Sequence, residues 1–286
     1  MFNKIIIGSA QFGLNYGYNN LSTPIKLKEI EKIIELAHNY KINKINTAIS
    51  YGNSEKIIGS LKLNNWDIFT KIPSIPNNIK NIETWISNNL EKSLENLKID
   101  KHKGVLFHDT KQLKKITEKI NISKIKKKFE FDYFGLSIYD IEDFFCLNSK
   151  YNFDVIQVPY NIFDRQIESK IKKIKEMNII VQARSIFLQG VLLTKFNKLN
   201  KYFHKWNSIF YCWENWLQKK GLNHLEGCLS LIKNDNTIDY VVIGIKNSIE
   251  LKTIISTLKH NLPKPPKYLS SNSKHLINPT NWDINE

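Results

Sequence analysis

Residues 66–108 read WDIFTKIPSIPNNIKNIETWISNNLEKSLENLKIDKHKGVLFH, and this stretch alone outlines a strand, a helix and a second strand. The run 66–70 is short and largely apolar, and 105–107 is a second apolar run. Between them, apolar side chains recur every three or four residues over 81–97, which predicts an amphipathic helix. Such a unit pairs its two strands in parallel through a right-handed crossover.

The same alternation extends in both directions along the chain. Eight short apolar runs qualify as strands, and segments with helical periodicity separate most of them. The runs lie at 5–7, around Ile45, and at 66–70, 105–107, 133–136, 154–158, 179–182 and 240–243. Eight strand–helix units predict a closed (β/α)8 TIM barrel of parallel strands. A doubly wound sheet is the alternative, and it is disfavoured because no GxGxxG follows any strand.

We expect one domain over residues 1–286, because no linker, repeat or low-complexity segment interrupts the alternation. The segment from Pro263 onward is rich in proline and predicts an extended C-terminal tail that packs on the barrel, anchored by Trp282. One helix is expected to begin at Thr23-Pro24, because threonine caps helices well and proline suits the first helical position.

The chain carries 42 Lys and Arg against 27 Asp and Glu, a formal charge of +15. The lysines are spread along the whole sequence, and the densest run, 124–128, falls at the end of a predicted helix, where the helix dipole favours cations. Arginine, the better reader of phosphates and bases, occurs only at Arg165 and Arg184. We therefore expect no specific nucleic-acid partner, although the charge would attract anionic substrates.

The three cysteines, Cys146, Cys212 and Cys228, show no CxxC spacing, which argues against a zinc site or a disulfide framework. No apolar run approaches the roughly 18 residues of a membrane span, and the N-terminus lacks the order of a secretory signal. These features predict a cytoplasmic protein with neither a bound metal nor membrane insertion.

Polar side chains stand where the predicted strands end, and Tyr51 follows in the loop after the second strand. The strand-end residues are Asn46, Lys71, His108, Ser137, Gln157 and Arg184. In a (β/α)8 barrel the carboxyl ends of the strands converge on one active site. A tyrosine, a lysine and a histidine brought together there could donate a proton to a carbonyl group.

These motifs, in this order, resemble the aldo-keto reductase superfamily over nearly the whole chain. The similar pieces are IGSAQFG at 7–13, NTAISYGNSE at 46–55, TK at 70–71, FHD at 107–109, GLS at 135–137, VIQVPYNIFD at 155–164, RSIFLQGVLL at 184–193 and VVIGIKNS at 241–248. Several are similar to bacterial members found with sugar and surface-polysaccharide pathways. The resemblance implies NAD(P)H-dependent reduction of an aldehyde or ketone, with a small carbonyl or sugar as substrate.

Residue by residue, the resemblance implies that Tyr51 donates the proton, Lys71 lowers its pKa and His108 orients the carbonyl. Asn46 stands where the family has an aspartate that would hold the lysine charged. Two outcomes stay open: a protonated Lys71 would make Tyr51 more acidic, and a neutral Lys71 would leave it weakly activated. The alternative functions are therefore a cofactor-binding regulatory protein or a non-redox enzyme.

The resemblance also implies a set of cofactor-binding residues. Ser137 and Gln157 would bind the nicotinamide carboxamide, and Arg184 replaces an aromatic residue that many relatives stack on the ring. The other candidates are Ser9, Ser185, Gly190, Gly244, Lys246, Asn247 and Ser248, the last four in a loop suited to an anion at a helix N-terminus. Lys246 favours NADP(H), while NAD(H) is possible. The candidates for the pocket wall lie near loops and are Phe12, Tyr16, Tyr160, Asn161 and Phe163. The substrate and the oligomeric state stay open.

Overall fold

A computed structural model describes residues 2–18, 24–63, 65–116 and 120–284. Eight parallel strands close into a barrel in chain order, with β1 pairing both β2 and β8. The strands are β1 Ile5–Gly8, β2 Lys44–Asn46, β3 Asp67–Ile72, β4 Gly104–Phe107, β5 Tyr133–Ser137, β6 Val155–Pro159, β7 Ile180–Arg184 and β8 Tyr240–Gly244. All eight predicted strands are present, and the predicted barrel is confirmed.

Helices connect the strands and form the outer layer. They are α1 Ala10–Gly13, α2 Leu27–Asn39, α3 Ser54–Ser60, α4 Ile82–Leu97, α5 Thr110–Lys115, α6 Ile122–Phe129, α7 Ile141–Tyr151, α8 Ile171–Glu176, α9 Asn207–Lys220, α10 His224–Lys233, α11 Ser248–Lys259 and α12 Lys274–Ile277. The helix predicted at 81–97 is α4, whose first turn is capped by the Asn81 side chain. The lysine-rich run 124–128 lies within α6, as expected.

The predicted start of the second helix is wrong. Pro24 lies in non-helical chain and α2 begins at Leu27, after Lys26, which keeps an extended backbone as the N-cap. Thr23, the expected cap, lies outside the described residues. The prediction relied on the local preferences of threonine and proline for helix starts. The start of α2 instead follows the apolar face that the barrel buries, and the first buried residue of that face is Ile30.

Side chains inside the barrel form an apolar layer beneath a polar one. Phe69, Leu106 and Val155 form a small buried cluster separate from the main core between strands and helices. Each of these three residues is followed two positions later by a polar one, in the same order Lys71, His108 and Gln157. Because side chains of a strand alternate between its faces, each polar residue stands on the same face as its apolar neighbour and closer to the carboxyl end. The interior therefore becomes polar towards one mouth of the barrel.

The C-terminal segment packs on the barrel as predicted, although short helical turns interrupt its extended parts. The Trp282 indole N–H donates to the Leu276 carbonyl at 3.0 Å, and its ring meets Phe203 edge-on with centroids 5.1 Å apart. Arg165 holds the start of this segment by donating to the carbonyl oxygens of Pro265 and Pro266. Within the described ranges, no helix combines the length and apolar character needed to cross a membrane.

Gly59 gives a sharp test of the packing between α3 and α4. Alanine in place of an interior helix glycine ordinarily gains about 0.5–1 kcal/mol. At Gly59 a Cβ would collide with the carbonyl oxygen of Asn96, which belongs to the α4 backbone. We expect Gly59→Ala to lose about 1–3 kcal/mol of unfolding free energy in urea denaturation. The exposed neighbour Ser60 supplies the control Ser60→Ala, and a stabilised Gly59→Ala protein would refute the close approach.

Candidate active site

A cavity opens at the carboxyl ends of the strands and has a volume of about 910 Å³, including its entrance. Five strands contribute residues at or next to their carboxyl ends to its lining: Gly8, Asn46, Gln157, Arg184 and Gly244. The connecting segments add residues predicted at the site, namely Ser9, Tyr51, Ser185, Gly190 and Lys246. The strand-end residues therefore converge with these loops on one cavity, as the barrel geometry predicts.

Tyr51, Lys71 and Asn46 form a contiguous hydrogen-bonded group. The Lys71 Nζ lies 3.4 Å from the Tyr51 hydroxyl and 3.0 Å from the carbonyl oxygen of Thr47, and it also contacts the Asn46 Oδ1 at short range. Lys71 is only 1% exposed, so it meets the cavity through Tyr51 and Asn46. The Asn46 Nδ2 is buried without a hydrogen-bond partner among the described residues.

The backbone around Tyr51 is held by a close approach to α1. Gly52 adopts φ +56°, a conformation that glycine tolerates at no steric cost, and a Cβ on Gly13 would collide with the Tyr51 carbonyl oxygen. The Ser54 hydroxyl lies 2.8 Å from that of Ser9 and 3.0 Å from the Ser9 carbonyl oxygen. These contacts fix the turn that aims Tyr51 into the cavity, and they commit the Ser9 hydroxyl to a structural contact.

The electrostatics of the group follow from its lack of a carboxylate. Burial lowers the pKa of the Lys71 amine well below its usual range, and the charge of Arg184 lowers it further. Burial also raises the pKa of Tyr51, with neighbouring tyrosines adding to the rise and Arg184 opposing it. Asn46 accepts a hydrogen bond from Lys71 but offers no charge to keep it protonated. The sequence leaves both protonation states of Lys71 open. Its burial and the lack of a carboxylate in this group favour the neutral amine.

His108 packs against Tyr51. Their rings meet edge-on with centroids 5.6 Å apart, and the His108 Nδ1 lies 3.1 Å from the Ser50 hydroxyl. Burial, together with the neighbouring Lys71 and Arg184, lowers the pKa of His108 to about 3. The imidazole is therefore neutral at physiological pH. When Ser50 donates to Nδ1, the ring proton resides on Nε2 and can be offered to a ligand.

Gln157 and Ser137 are neighbours across β5 and β6, where they are register partners. The Gln157 Nε2 donates to the Gln182 Oε1 at 2.9 Å, and the Gln182 Nε2 is buried without a partner among the described residues. Gln157 lines the cavity, whereas the described lining does not include Ser137. The sequence analysis missed Gln182. Its position opposite Gln157 becomes visible only once the β6–β7 register is known.

Arg184 stacks its guanidinium on the Tyr139 ring at 4.2 Å from the centroid. Its terminal nitrogens donate to the Ser185 hydroxyl and the Ile138 carbonyl, both at 3.1 Å, and its Nε is buried without a partner within the described part of the chain. The segment that follows is irregular, with positive φ at Ser185, Leu188, Gln189 and Gly190. Backbone of this kind is typical of ligand-contacting segments.

The loop between β8 and α11 was predicted to offer free N–H groups to an anion, but several of these groups have partners within the chain. The Glu250 carboxylate accepts from the Lys246 N–H at 2.6 Å, and Glu29 accepts from both the N–H and the hydroxyl of Ser248 at 2.7 Å. The Asn247 side chain caps α11 through the Glu250 N–H. The Asn-x-x-Glu spacing is a recognisable capping signal that could have revealed Glu250. Glu29 lies 219 residues away and gave no such signal.

Most of the aromatic residues proposed for the pocket wall lie elsewhere. Tyr16 lines the cavity, but Phe12 and Phe163 are fully buried in the core. Tyr160 is also buried, and its hydroxyl lies 2.6 Å from the Asp235 carboxylate. These positions follow apolar strand ends, so the sequence could not distinguish burial against the helices from exposure to the cavity. Gln11, Gln189 and Leu193 are lining residues that the sequence analysis did not single out.

The sequence profile of the aldo/keto reductase family matches residues 4–265. No curated protein sequence shows significant similarity to the chain. Among solved structures, a Pseudomonas aeruginosa protein described as an aldo-keto reductase has 19% identity and a TM-score of 0.65, covering 89% of each chain. An aldo-keto reductase from Bacillus halodurans in its holo form has 16% identity and a TM-score of 0.73, covering 94% of this chain and 93% of that one.

Because the family profile spans most of its length, the chain belongs to the aldo/keto reductase family. The structural neighbours share its barrel fold. The family's enzymes are oxidoreductases that use nicotinamide cofactors to act on small carbonyl compounds. In the described ranges, no group of three or more His, Cys, Asp or Glu side chains is placed to hold a metal ion.

The cavity residues fit a nicotinamide cofactor. The volume of the cavity is within the range of pockets that enclose organic ligands. Gln157 offers an amide that can pair with a carboxamide, and the guanidinium of Arg184 can lie against a planar ring or reach a phosphate. Two buried polar atoms of the lining, the Arg184 Nε and the Gln11 Oε1, have no partner in the described structure. A ligand with both donors and acceptors would satisfy them.

The neutral state of Lys71 can be tested through stability. The folded protein holds the amine unprotonated, while the unfolded chain binds a proton below the ordinary lysine pKa of 10.5. The unfolded state therefore binds more protons, and the Lys71 contribution to stability rises as pH rises towards 10.5. We expect Asn46→Asp to keep Lys71 protonated and to weaken this dependence, measured by urea unfolding at about pH 7 and about pH 9.5.

Lys71→Met removes the titrating amine and is the matched control, because it should weaken the pH dependence in the same way. Equal pH dependence in the wild type and both variants would show that Lys71 is protonated in the folded protein.

The neutral imidazole of His108 is testable by NMR. With a pKa of about 3, its ring resonances should not shift between about pH 5 and pH 8. His108→Asn identifies the resonances by their loss. A His108 titration with a midpoint near 6.5 would contradict the burial and charge environment described above.

Proposed function

We propose that the chain reduces an aldehyde or ketone with a nicotinamide dinucleotide, and that Tyr51 is the proton donor. One observation carries this proposal: the Tyr51 hydroxyl, with the Lys71 amine 3.4 Å away, lines the same cavity as Gln157 and Arg184. A proton donor and groups suited to a carboxamide therefore share one enclosed space. The dinucleotide, when bound, supplies the hydride.

The protein's own residues would bind the carbonyl oxygen and protonate it. The Tyr51 hydroxyl donates its proton as negative charge develops on that oxygen, and the neutral His108 donates a hydrogen bond from Nε2. The Lys71 amine accepts or donates at the Tyr51 oxygen and is itself held by Thr47 and Asn46. Because burial raises the pKa of Tyr51, the phenol is protonated at neutral pH and holds the proton that the reduction requires, although it is a weaker acid than a free tyrosine.

The mouth of the cavity suits a polar substrate with an extended face. Tyr16 lines the cavity and is 37% exposed, and Tyr139, also 37% exposed, stacks on the lining residue Arg184. Aromatic faces at a cavity mouth can pack against a sugar ring, while the Gln189 side chain offers an amide to hydroxyl groups. Carbohydrate-type aldehydes and ketones are therefore the first substrates to test.

A second candidate function is a protein that binds the cofactor without turning it over. The observation that favours it is the absence of a carboxylate partner for Lys71 among its described contacts, together with the raised pKa of Tyr51. The two candidates differ in a single-turnover experiment. Oxidation of bound reduced cofactor by a carbonyl substrate would establish the reductase, and its absence across a broad panel would favour the binding protein.

Tyr51→Phe is the direct test of the proton donor. We expect kcat to fall by about 10²–10⁴-fold, the usual contribution of a positioned acid, while the dissociation constant for the cofactor changes little. Tyr211→Phe is the control, because Tyr211 is 69% exposed on α9, outside the described lining of the cavity. Turnover that survives Tyr51→Phe unchanged would eliminate Tyr51 as the acid.

A further inference from the structure

Two carboxylates from distant parts of the chain meet at the loop between β8 and α11. Glu250 lines the cavity and accepts from the Lys246 N–H, and Glu29, on α2, accepts from the N–H and hydroxyl of Ser248. Backbone N–H groups at the start of a helix are ordinarily the donors that bind a phosphate. Here two of them already bind carboxylates, so a phosphate would have to displace these contacts and approach the same negative charges.

An unpartnered acceptor faces the same region. The Gln11 side chain is 9% exposed, and its Oε1 is buried without a hydrogen-bond partner among the described residues. A Cβ placed on Gly244 would lie 3.2 Å from this oxygen, so Gly244 and Gln11 border one small space. A ligand group in that space would pair with the Gln11 Oε1 only if it were a hydrogen-bond donor, such as a hydroxyl or an amino group. A phosphate at neutral pH does not provide such a donor.

The position of the loop places it away from the reacting groups. Gly8 pairs with Asn46 of β2 on one side and with Gly244 of β8 on the other. The strand β1 therefore lies between the end of β2, which leads to Tyr51, and the end of β8, which leads to this loop. Lys246 and Glu250 lie beyond the end of β8 and line the same cavity as Tyr51. With the nicotinamide of a dinucleotide beside Tyr51, we assign its adenosine half to this loop.

We propose that the cavity selects NAD(H) over NADP(H), and that Glu250 determines the selection. The proposal rests on the function proposed above and departs from the expectation of NADP(H) drawn from Lys246. The two cofactors differ by one phosphate on the adenosine ribose, where NAD(H) has a hydroxyl. A carboxylate and an amide oxygen accept hydrogen bonds from that hydroxyl and repel the phosphate.

Lys246 offsets this repulsion only in part. Burial raises the pKa of Glu250 above its usual range, and the N–H and the positive charge of Lys246, which also lines the cavity, oppose that rise. The Lys246 charge therefore stabilises the ionised form of Glu250. Glu29, whose pKa the Ser248 hydrogen bonds lower, adds a second negative charge at the same helix start. Lys32 lies 3.7 Å from Glu29 with its side chain 65% exposed. Two exposed, flexible lysines thus face two carboxylates that are fixed by hydrogen bonds.

The test measures dissociation constants of the purified full chain for NADH and NADPH by isothermal titration calorimetry. We expect NADH to bind at least about 10-fold more tightly. Glu250→Gln keeps the shape of the side chain and an oxygen for the Lys246 N–H, but it removes the charge. We expect this variant to tighten NADPH binding about 10-fold and to change NADH binding by less than about 3-fold.

Glu226→Gln is the matched control. Glu226 occupies the same position at the start of α10, where it forms a capping box with Asn223, and the described lining of the cavity does not include it. It reports any general effect of losing a capping carboxylate, and thermal melting of both variants checks their folding. We expect it to leave both dissociation constants unchanged.

The outcomes separate this inference from the proposed function. Tight binding of NADPH with equal or weaker binding of NADH would overturn the selection but leave the reductase proposal intact. An unchanged ratio of the two constants in Glu250→Gln would remove Glu250 as its determinant. Failure of the wild-type protein to bind either cofactor would overturn the proposed function and this inference together.

Discussion

The two-residue period of the strands is the constraint on which the site depends. Phe69 and Lys71 share one face of β3, as Val155 and Gln157 share one face of β6. The apolar members form the buried cluster inside the barrel, so the polar members must stand above it at one mouth. A shift of one residue in either strand would turn the polar side chains towards the helices. Packing of the lower layer thus fixes the height and direction of the polar side chains at the mouth.

This placement carries a cost that the chain meets in an unusual way. A fully buried ammonium without a carboxylate is expensive, so burial lowers the pKa of Lys71 and favours its neutral form. Neutral partners, the Thr47 carbonyl and Asn46 Oδ1, suffice for a neutral amine. In that form the lysine still forms a hydrogen bond with Tyr51, but it supplies no charge that would lower the pKa of the phenol. An asparagine in place of an aspartate at position 46 therefore affects the whole hydrogen-bonded group of Asn46, Lys71 and Tyr51.

The sequence predicted the strands because each is a local apolar run, and the barrel because eight such runs alternate with helices. It also predicted that Asn46, Tyr51, Gln157 and Arg184 would line one cavity, since strand ends converge in this fold. Contacts between distant segments could not be predicted. Glu29 bonds to Ser248 across 219 residues, and Tyr160 bonds to Asp235 across 75. Local patterns contain no information about such pairs, and these pairs decide which polar groups remain available to a ligand.

Charge acts on this cavity at two ranges. The formal charge of +15 attracts any anionic ligand. At long range, a ligand with more negative charges is attracted more strongly than a ligand with fewer. Salt at physiological strength screens exposed charges beyond roughly 8 Å, so the dispersed lysines raise the rate of encounter more than they discriminate between bound ligands. Groups fixed by hydrogen bonds within the cavity are screened less. Arg184 and Lys246 are cations in the lining, but Glu250 stands beside Lys246 at the loop where a ligand's outer part would bind. We therefore expect the local carboxylates to set discrimination between ligands at that end, even in a strongly basic protein.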